Sequence, residues 1–151
     1  MSAHPYQFVI LRYTPNLARE EFTNLGIVMF RTHVGDIRYK LLTPMSPNIP
    51  AIPGMLRKEV KVFLEGINYH FESVTENLEE LCLEQFDRYP VDLGSIEPIL
   101  KLLKRQDATL SWSEVKVGIH FDPFERIDPL FLELIEPVPI LFDSKELPPK
   151  P

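Results

Sequence analysis

Tyr6-Gln7-Phe8-Val9-Ile10-Leu11-Arg12-Tyr13 and, beyond a polar connection, Asn24-Leu25-Gly26-Ile27-Val28-Met29-Phe30-Arg31 read as two β-strands. Both are apolar at nearly every position, where a strand with one wet face would alternate. Such strands are expected to be covered on both faces. The same pattern leaves register open, because no alternation assigns a side chain to a face. Register must then come from the connection. Asn24 is expected to bond the turn backbone, and Gly26 to accept a bulge or a close contact that a side chain forbids. On that reading Gly26→Val costs about 1–3 kcal/mol.

The connection, Thr14 to Thr23, is polar and opens on Pro15. Downstream of the second strand, His33-Val34-Gly35-Asp36 carries a turn signal. A third strand follows, with Ile37, Tyr39 and Leu41 on one face and Arg38 and Lys40 on the other. Prolines between Pro44 and Pro53 make a rigid connector. The period then changes. Leu56, Val60, Phe63, Leu64 and Ile67 sit at helical spacing, with Gly66 and Asn68 weakening the helix end. Ser73-Val74-Thr75-Glu76 fits a capping box for a second helix through Leu78, Leu81, Cys82 and Phe86, stopped by Tyr89-Pro90. Ser95 is placed to cap a third helix carrying Ile99, Leu102 and Leu103.

Strand character returns at Thr109–Trp112 and Val115–Phe121. Leu110 and Trp112 are even, whereas Val115, Val117, Ile119 and Phe121 are odd, so a turn or bulge is expected near Ser113-Glu114. Asp128-Pro129 is a cap and first-turn pair for a last helix, Leu130 to Ile135, bounded by Pro137. The fold class predicted is α+β. An antiparallel sheet of about five strands, three early and two late, packs with a helical middle segment and a C-terminal helix. One domain is expected over residues 1–143, with a Pro-rich tail over 144–151.

Composition narrows the function classes. The chain has 151 residues, 44% hydrophobic and 25% charged, enough for a core without staples. Its net charge of −6 argues against a nucleic-acid binder or an anionic-membrane binder. One cysteine, Cys82, forms no internal disulfide and fits a reducing compartment. The start, Met1-Ser2-Ala3-His4-Pro5, lacks a signal-peptide pattern, and no apolar run is long enough to span a bilayer, so the expected location is cytoplasmic.

Candidate chemistry concentrates in the first connection. Arg12, Arg19, Glu21 and Asn24 could form an anion site with Glu21 as a base, or an Arg–Glu ion pair with Asn24 bonding the turn. His120 and Asp122 form an H-x-D pair that could orient an imidazole, or Asp122 could simply cap the turn at Pro123. Cys82 sits on an apolar helical stripe, as a small buried hydrophobe would. The four histidines have no zinc spacing, and no nucleophile elbow, P-loop or dinucleotide fingerprint is present, so no catalytic residue, metal or cofactor is assigned. Glu72 to Asp92 holds seven acids and one Arg, which reads as a solvated face or a docking surface for a basic partner.

The opening also carries a resemblance. Phe8-Val9-Ile10-Leu11-Arg12-Tyr13-x-Pro15, then Arg19-Glu20-Glu21-Phe22-x-Asn24-x-Gly26-Ile27-Val28-x-Phe30, resembles the opening of a bacterial family, domain-of-unknown-function family 3037. The run from Thr109 through Val117-Gly118 to Asp122-Pro123 and the final helix is similar to that family's ending. In this motif Tyr13, Pro15, Phe22 and Gly26 are structural positions, and Glu21, directly before Phe22, takes the acidic one. The segment from Pro137 to Pro151 is outside the pattern. The resemblance implies a compact bacterial or phage-type cytoplasmic protein with no established activity. It further implies an accessory or partner role beside HipA-like kinases. Sequence and resemblance together lead to an expected non-enzymatic accessory or protein-interaction module. The alternative is a small enzyme or anion-binding domain using Arg12, Arg19, Glu21 and Asn24.

Overall fold

The computed structural model describes residues 2–16, 21–47, 49–52, 54–104 and 109–135. The expected boundary at residue 143 and the tail 144–151 lie outside them. Strand β1 (His4–Asn16) pairs antiparallel with β2 (Glu21–Arg31), and β2 with β3 (Asp36–Leu41). On the other side of β1 lie β4 (Leu110–Trp112), opposite Leu11–Tyr13, and β5 (Lys116–His120), opposite His4–Phe8. This is the antiparallel α+β sheet of three early and two late strands that the patterning predicts.

Cover on both faces explains the apolar continuity of β1 and β2. Val9, Leu11, Ile27, Val28, Met29 and Phe30 are all fully buried. On one face lie the helices of the middle segment. The long helix α1 (Arg57–Glu76) brings Phe63 edge-on to Tyr13, and Phe71 against Tyr39 and Trp112. On the opposite face a 3₁₀ turn (Pro123–Arg126) leads into the last helix, here α5 (Ile127–Leu134). Its rings sit under the cations of the sheet: Arg31 and Arg38 over Phe124, Lys40 over Phe131. Each such contact contributes about 0.5–1 kcal/mol at exposed sites.

Both strands outrun their expected limits. β1 continues through Pro15, which stands near the hairpin end rather than opening a loop, and β2 begins at Glu21 instead of Asn24. Register is set where the sequence places it. Leu11 faces Gly26 but Arg12 faces Asn24, so Leu25 is the extra residue of a β-bulge. Next to the bulge, Leu41 of β3 folds over Gly26. A Cβ there would lie 2.2 Å from Leu41 Cδ2 and 2.8 Å from the Lys40 carbonyl oxygen.

The expected break between β4 and β5 is built around Ser113. Its backbone N–H donates to Ile10 O (2.9 Å), while its Oγ accepts from the Ile10 N–H (2.8 Å) and donates to Glu114 O (3.0 Å). The hydroxyl therefore replaces the strand carbonyl lost at the break. Ser113→Ala leaves a buried N–H without its acceptor and is expected to cost about 1–3 kcal/mol. Urea unfolding beside the parent checks this. A loss below about 0.5 kcal/mol, the level of an ordinary surface change, would contradict it.

The helical segment departs from the sequence reading in five ways. First, α1 does not end at Gly66 and Asn68 but runs on to Glu76. Asn68 spends its amide on Leu64 O and Leu42 O, both at 2.8 Å, and so joins the helix to the strand exit. Second, Ser73 lies inside α1, not at a cap, and α2 (Leu78–Phe86) starts after Asn77. Third, Tyr89-Pro90 not only follows α2 but starts a one-turn helix α3 (Pro90–Leu93), with Pro at the first position where its missing N–H costs nothing. Fourth, α5 begins at Ile127 because the 3₁₀ turn feeds directly into it. Asp128 then pairs with Lys40 (2.9 Å) instead of capping. Fifth, the predicted helix α4 (Glu97–Leu103) forms, but its N-cap is Ile96, without a side-chain cap, and not Ser95; Ser95 Oγ accepts from the Glu97 N–H (3.3 Å) and Gln7 Oε1 from the Ile96 N–H (2.8 Å).

Candidate functional site

The hairpin bulge brings together two of the four residues of the candidate cluster. Arg12 and Asn24 are cross-strand neighbours, and Arg12 Nε donates to Asn24 Oδ1 at 3.3 Å. The Arg12 guanidinium also lies over the half-exposed Phe22 ring, 4.1 Å from its centroid. Asn24 turns its amide the other way and donates to Leu134 O at the end of α5 (3.0 Å). Its partner is thus a carbonyl of the last helix rather than the turn backbone expected from sequence. A helix end has carbonyls without intrahelical donors, and an amide supplied from a neighbouring strand satisfies one of them. Asn24 ties the hairpin to α5, while Arg12 links Asn24 and Phe22 within the hairpin. Arg19 lies outside the described residues, and of Glu21 only the backbone is described, at the start of β2.

The remaining candidates are spread out. His120 Nδ1 meets the Asp122 backbone N–H at 3.0 Å, so the backbone, not the carboxylate, holds the ring. Cys82 is fully covered on the inner side of α2, and burial pushes its thiol up from the ordinary range, away from the reactive thiolate. The seven acids from Glu72 to Asp92 are all exposed, along the end of α1, α2 and the turn of α3. Among the described residues no group of three or more His, Cys, Asp or Glu could hold a metal ion. None of their helices is long and apolar enough to cross a membrane.

A different feature dominates the surface. β5 pairs with β1 on one side, and among the described residues no strand pairs with its other side. Val117 and Ile119 project along it, and Phe121 follows just past its end; they are 75%, 69% and 57% exposed. Opposite Val117 and Ile119 on β1 stand Gln7 and Pro5, on the face that carries α1, where Gln7 Oε1 accepts from the Ile96 N–H at the start of α4. Gly118 holds the strand close: a Cβ there would meet the Tyr6 ring at 2.5 Å. The outcome is a row of three apolar side chains beside a line of backbone donors and acceptors that no strand pairs among the described residues. Sequence patterning found the odd-numbered parity of these residues, but parity does not say which side lacks a helix.

A family model described as "Protein of unknown function (DUF3037)" matches residues 8–135, from β1 to the residue after α5. The chain belongs to the DUF3037 family. The match spans both the bulged hairpin and the exposed row on β5, so both features lie within the DUF3037 region. No curated protein and no solved structure matches the chain.

Proposed function

We propose that this DUF3037 chain is a protein-interaction module that takes an extended segment of a partner along the free edge of β5. The observation that carries the reading is the row of Val117, Ile119 and Phe121 on and just past an edge strand. Open edges and exposed apolar side chains are liabilities that monomeric proteins blunt with charge, proline or cover. An added strand satisfies both at once, since main-chain bonds supply affinity and alternate side chains meet the row. A different chain fits better than a second copy. Antiparallel self-pairing about Gly118 sets Glu114 against Asp122 and Lys116 against His120, like charges at one pair and no attraction at the other. Glu114 and Asp122 at the ends of the strand favour a partner segment with basic residues flanking an apolar centre. A HipA-like kinase is the first partner to try.

The test uses the immobilised full chain to capture proteins from native-host lysate, beside an Ile119→Lys variant. Ile119 is exposed, so the variant is expected to stay within about 0.5 kcal/mol of the parent in stability. The expected result is a stoichiometric partner recovered by the parent and lost with Ile119→Lys. Equal recovery of the same partner by both proteins would remove β5 from the account.

A further inference from the structure

Helix α1 carries its charges the wrong way round for an isolated helix. Arg57, Lys58 and Lys61 stand at its N-terminal end, and Glu72 and Glu76 at its C-terminal end, with no basic residue in the last turn. The helix macrodipole favours the opposite arrangement, acids first and bases last. Glu59 is the one acid of the first turn, and it is spent on the Leu56 N–H (2.7 Å). Among the described residues no ion pair within 4 Å involves Arg57, Lys58, Lys61, Glu72 or Glu76. Local rules broken without a visible gain within the fold are expected at functional sites.

The outward side of α1 shows what would complete it. Val62 and Tyr69 are 67% and 73% exposed, and they flank a groove of about 630 Å³ with Glu65, Gly66, His70 and Ser73. Val62, Gly66, Tyr69 and Ser73 follow the spacing of one helical stripe, directly opposite the buried Val60, Leu64, Ile67, Phe71 and Val74. At 3.6 residues per turn, Lys58, Lys61, Glu65, Glu72 and Glu76 all fall along one flank of that stripe. In an antiparallel helix pair related by a two-fold axis, such a flank faces its own copy in reverse order.

We infer that the outer face of α1 is a self-association surface whose occupant is α1 of a second copy of this chain, antiparallel, about a two-fold axis near Gly66. With a rise of about 1.5 Å per residue, Lys61 and Glu72 lie about 8 and 9 Å on either side of Gly66, and Lys58 and Glu76 about 12 and 15 Å. The two-fold therefore sets Lys58 and Lys61 of each copy against Glu76 and Glu72 of the other. Tyr69 of each copy enters the space beside Gly66, next to the other copy's Val62. The two macrodipoles run antiparallel, so the charges that oppose each helix's own dipole meet the complementary end of its partner.

Sedimentation velocity on the full chain, over a wide concentration range and at low and high salt, tests this. The parent is expected to dimerise, and the dimer to weaken as salt screens the flank. Lys58→Glu with Lys61→Glu makes the flank uniformly acidic, and Glu72→Lys with Glu76→Lys makes its C-terminal end basic. Each double variant alone is expected to lose at least about tenfold in dimer affinity, and an equimolar mixture of the two to associate again. All four residues are exposed, and circular dichroism verifies that each variant keeps the parent's helix content. The β5 variant Ile119→Lys is expected to dimerise like the parent, which separates this surface from the partner edge. A parent that stays monomeric throughout, a dimer indifferent to both double variants, or a dimer lost only in Ile119→Lys would overturn the inference.

Discussion

Gly26→Val is expected to destabilise the protein by about 3 kcal/mol or more, the upper end of what overpacking costs. Valine is a good strand former, so a propensity argument alone would predict a gain. Geometry decides against it. The added Cβ would sit 2.8 Å from the Lys40 carbonyl oxygen and 3.0 Å from Leu41 Cα, both backbone atoms paired with β2, and 2.2 Å from Leu41 Cδ2. The side-chain contact can yield by a rotamer change, but the backbone contacts yield only if β3 moves away from β2. Urea unfolding of Gly26→Ala and Gly26→Val measures the effect, with valine expected to be the worse. Leu41→Ala combined with Gly26→Ala is expected to recover part of the loss, because it removes the flexible part of the clash. A valine variant as stable as the parent would mean that β2 and β3 are not held at this spacing.

Phe71→Ala is expected to cost about 3–5 kcal/mol, the range for emptying a buried aromatic site. Phe71 is fully buried and stands between the two sides of the sheet, with ring centroids 5.3 Å from Tyr39 on β3 and 6.2 Å from Trp112 on β4. Removing it leaves α1 without the residue that joins both sheet edges. Trp112 is the only tryptophan, so its fluorescence reports the site directly. The expected result is a red-shifted native emission together with a lower urea midpoint. A midpoint near that of the parent would show that α1 is held mainly by its other buried residues.

Much of this architecture was legible in the sequence, and the residues show why. Continuous apolar runs gave β1 and β2, clean alternation gave β3, and the parity change at Ser113 gave the β4–β5 break. Gly26 was readable as a register device because an otherwise apolar strand has little other use for a glycine. Helix limits were less legible. Gly66 and Asn68 look like breakers, but Gly66 faces the outer groove and Asn68 bonds the carbonyl of Leu42, a residue no local window contains. The partner of Asn24 is Leu134, far along the chain, so its latch to α5 has no local signature. The row on β5 was visible only as a parity. That Val117, Ile119 and Phe121 face water depends on what the tertiary fold packs against that face, and no sequence period encodes that. The inverted charges of α1 were in plain view, but they became informative only once the helix was known to run unbroken from Arg57 to Glu76.

Amide hydrogen exchange tests the central claim, that β5 receives a partner strand, most directly. Measured on the full chain alone and with the partner captured from native-host lysate, exchange is expected to slow at Val117 and Ile119, whose strand gains new main-chain bonds, more than anywhere on α1 or α2. Unchanged exchange across Lys116–His120, with slowing confined to the helices or to the Arg12–Asn24 hairpin, would contradict it.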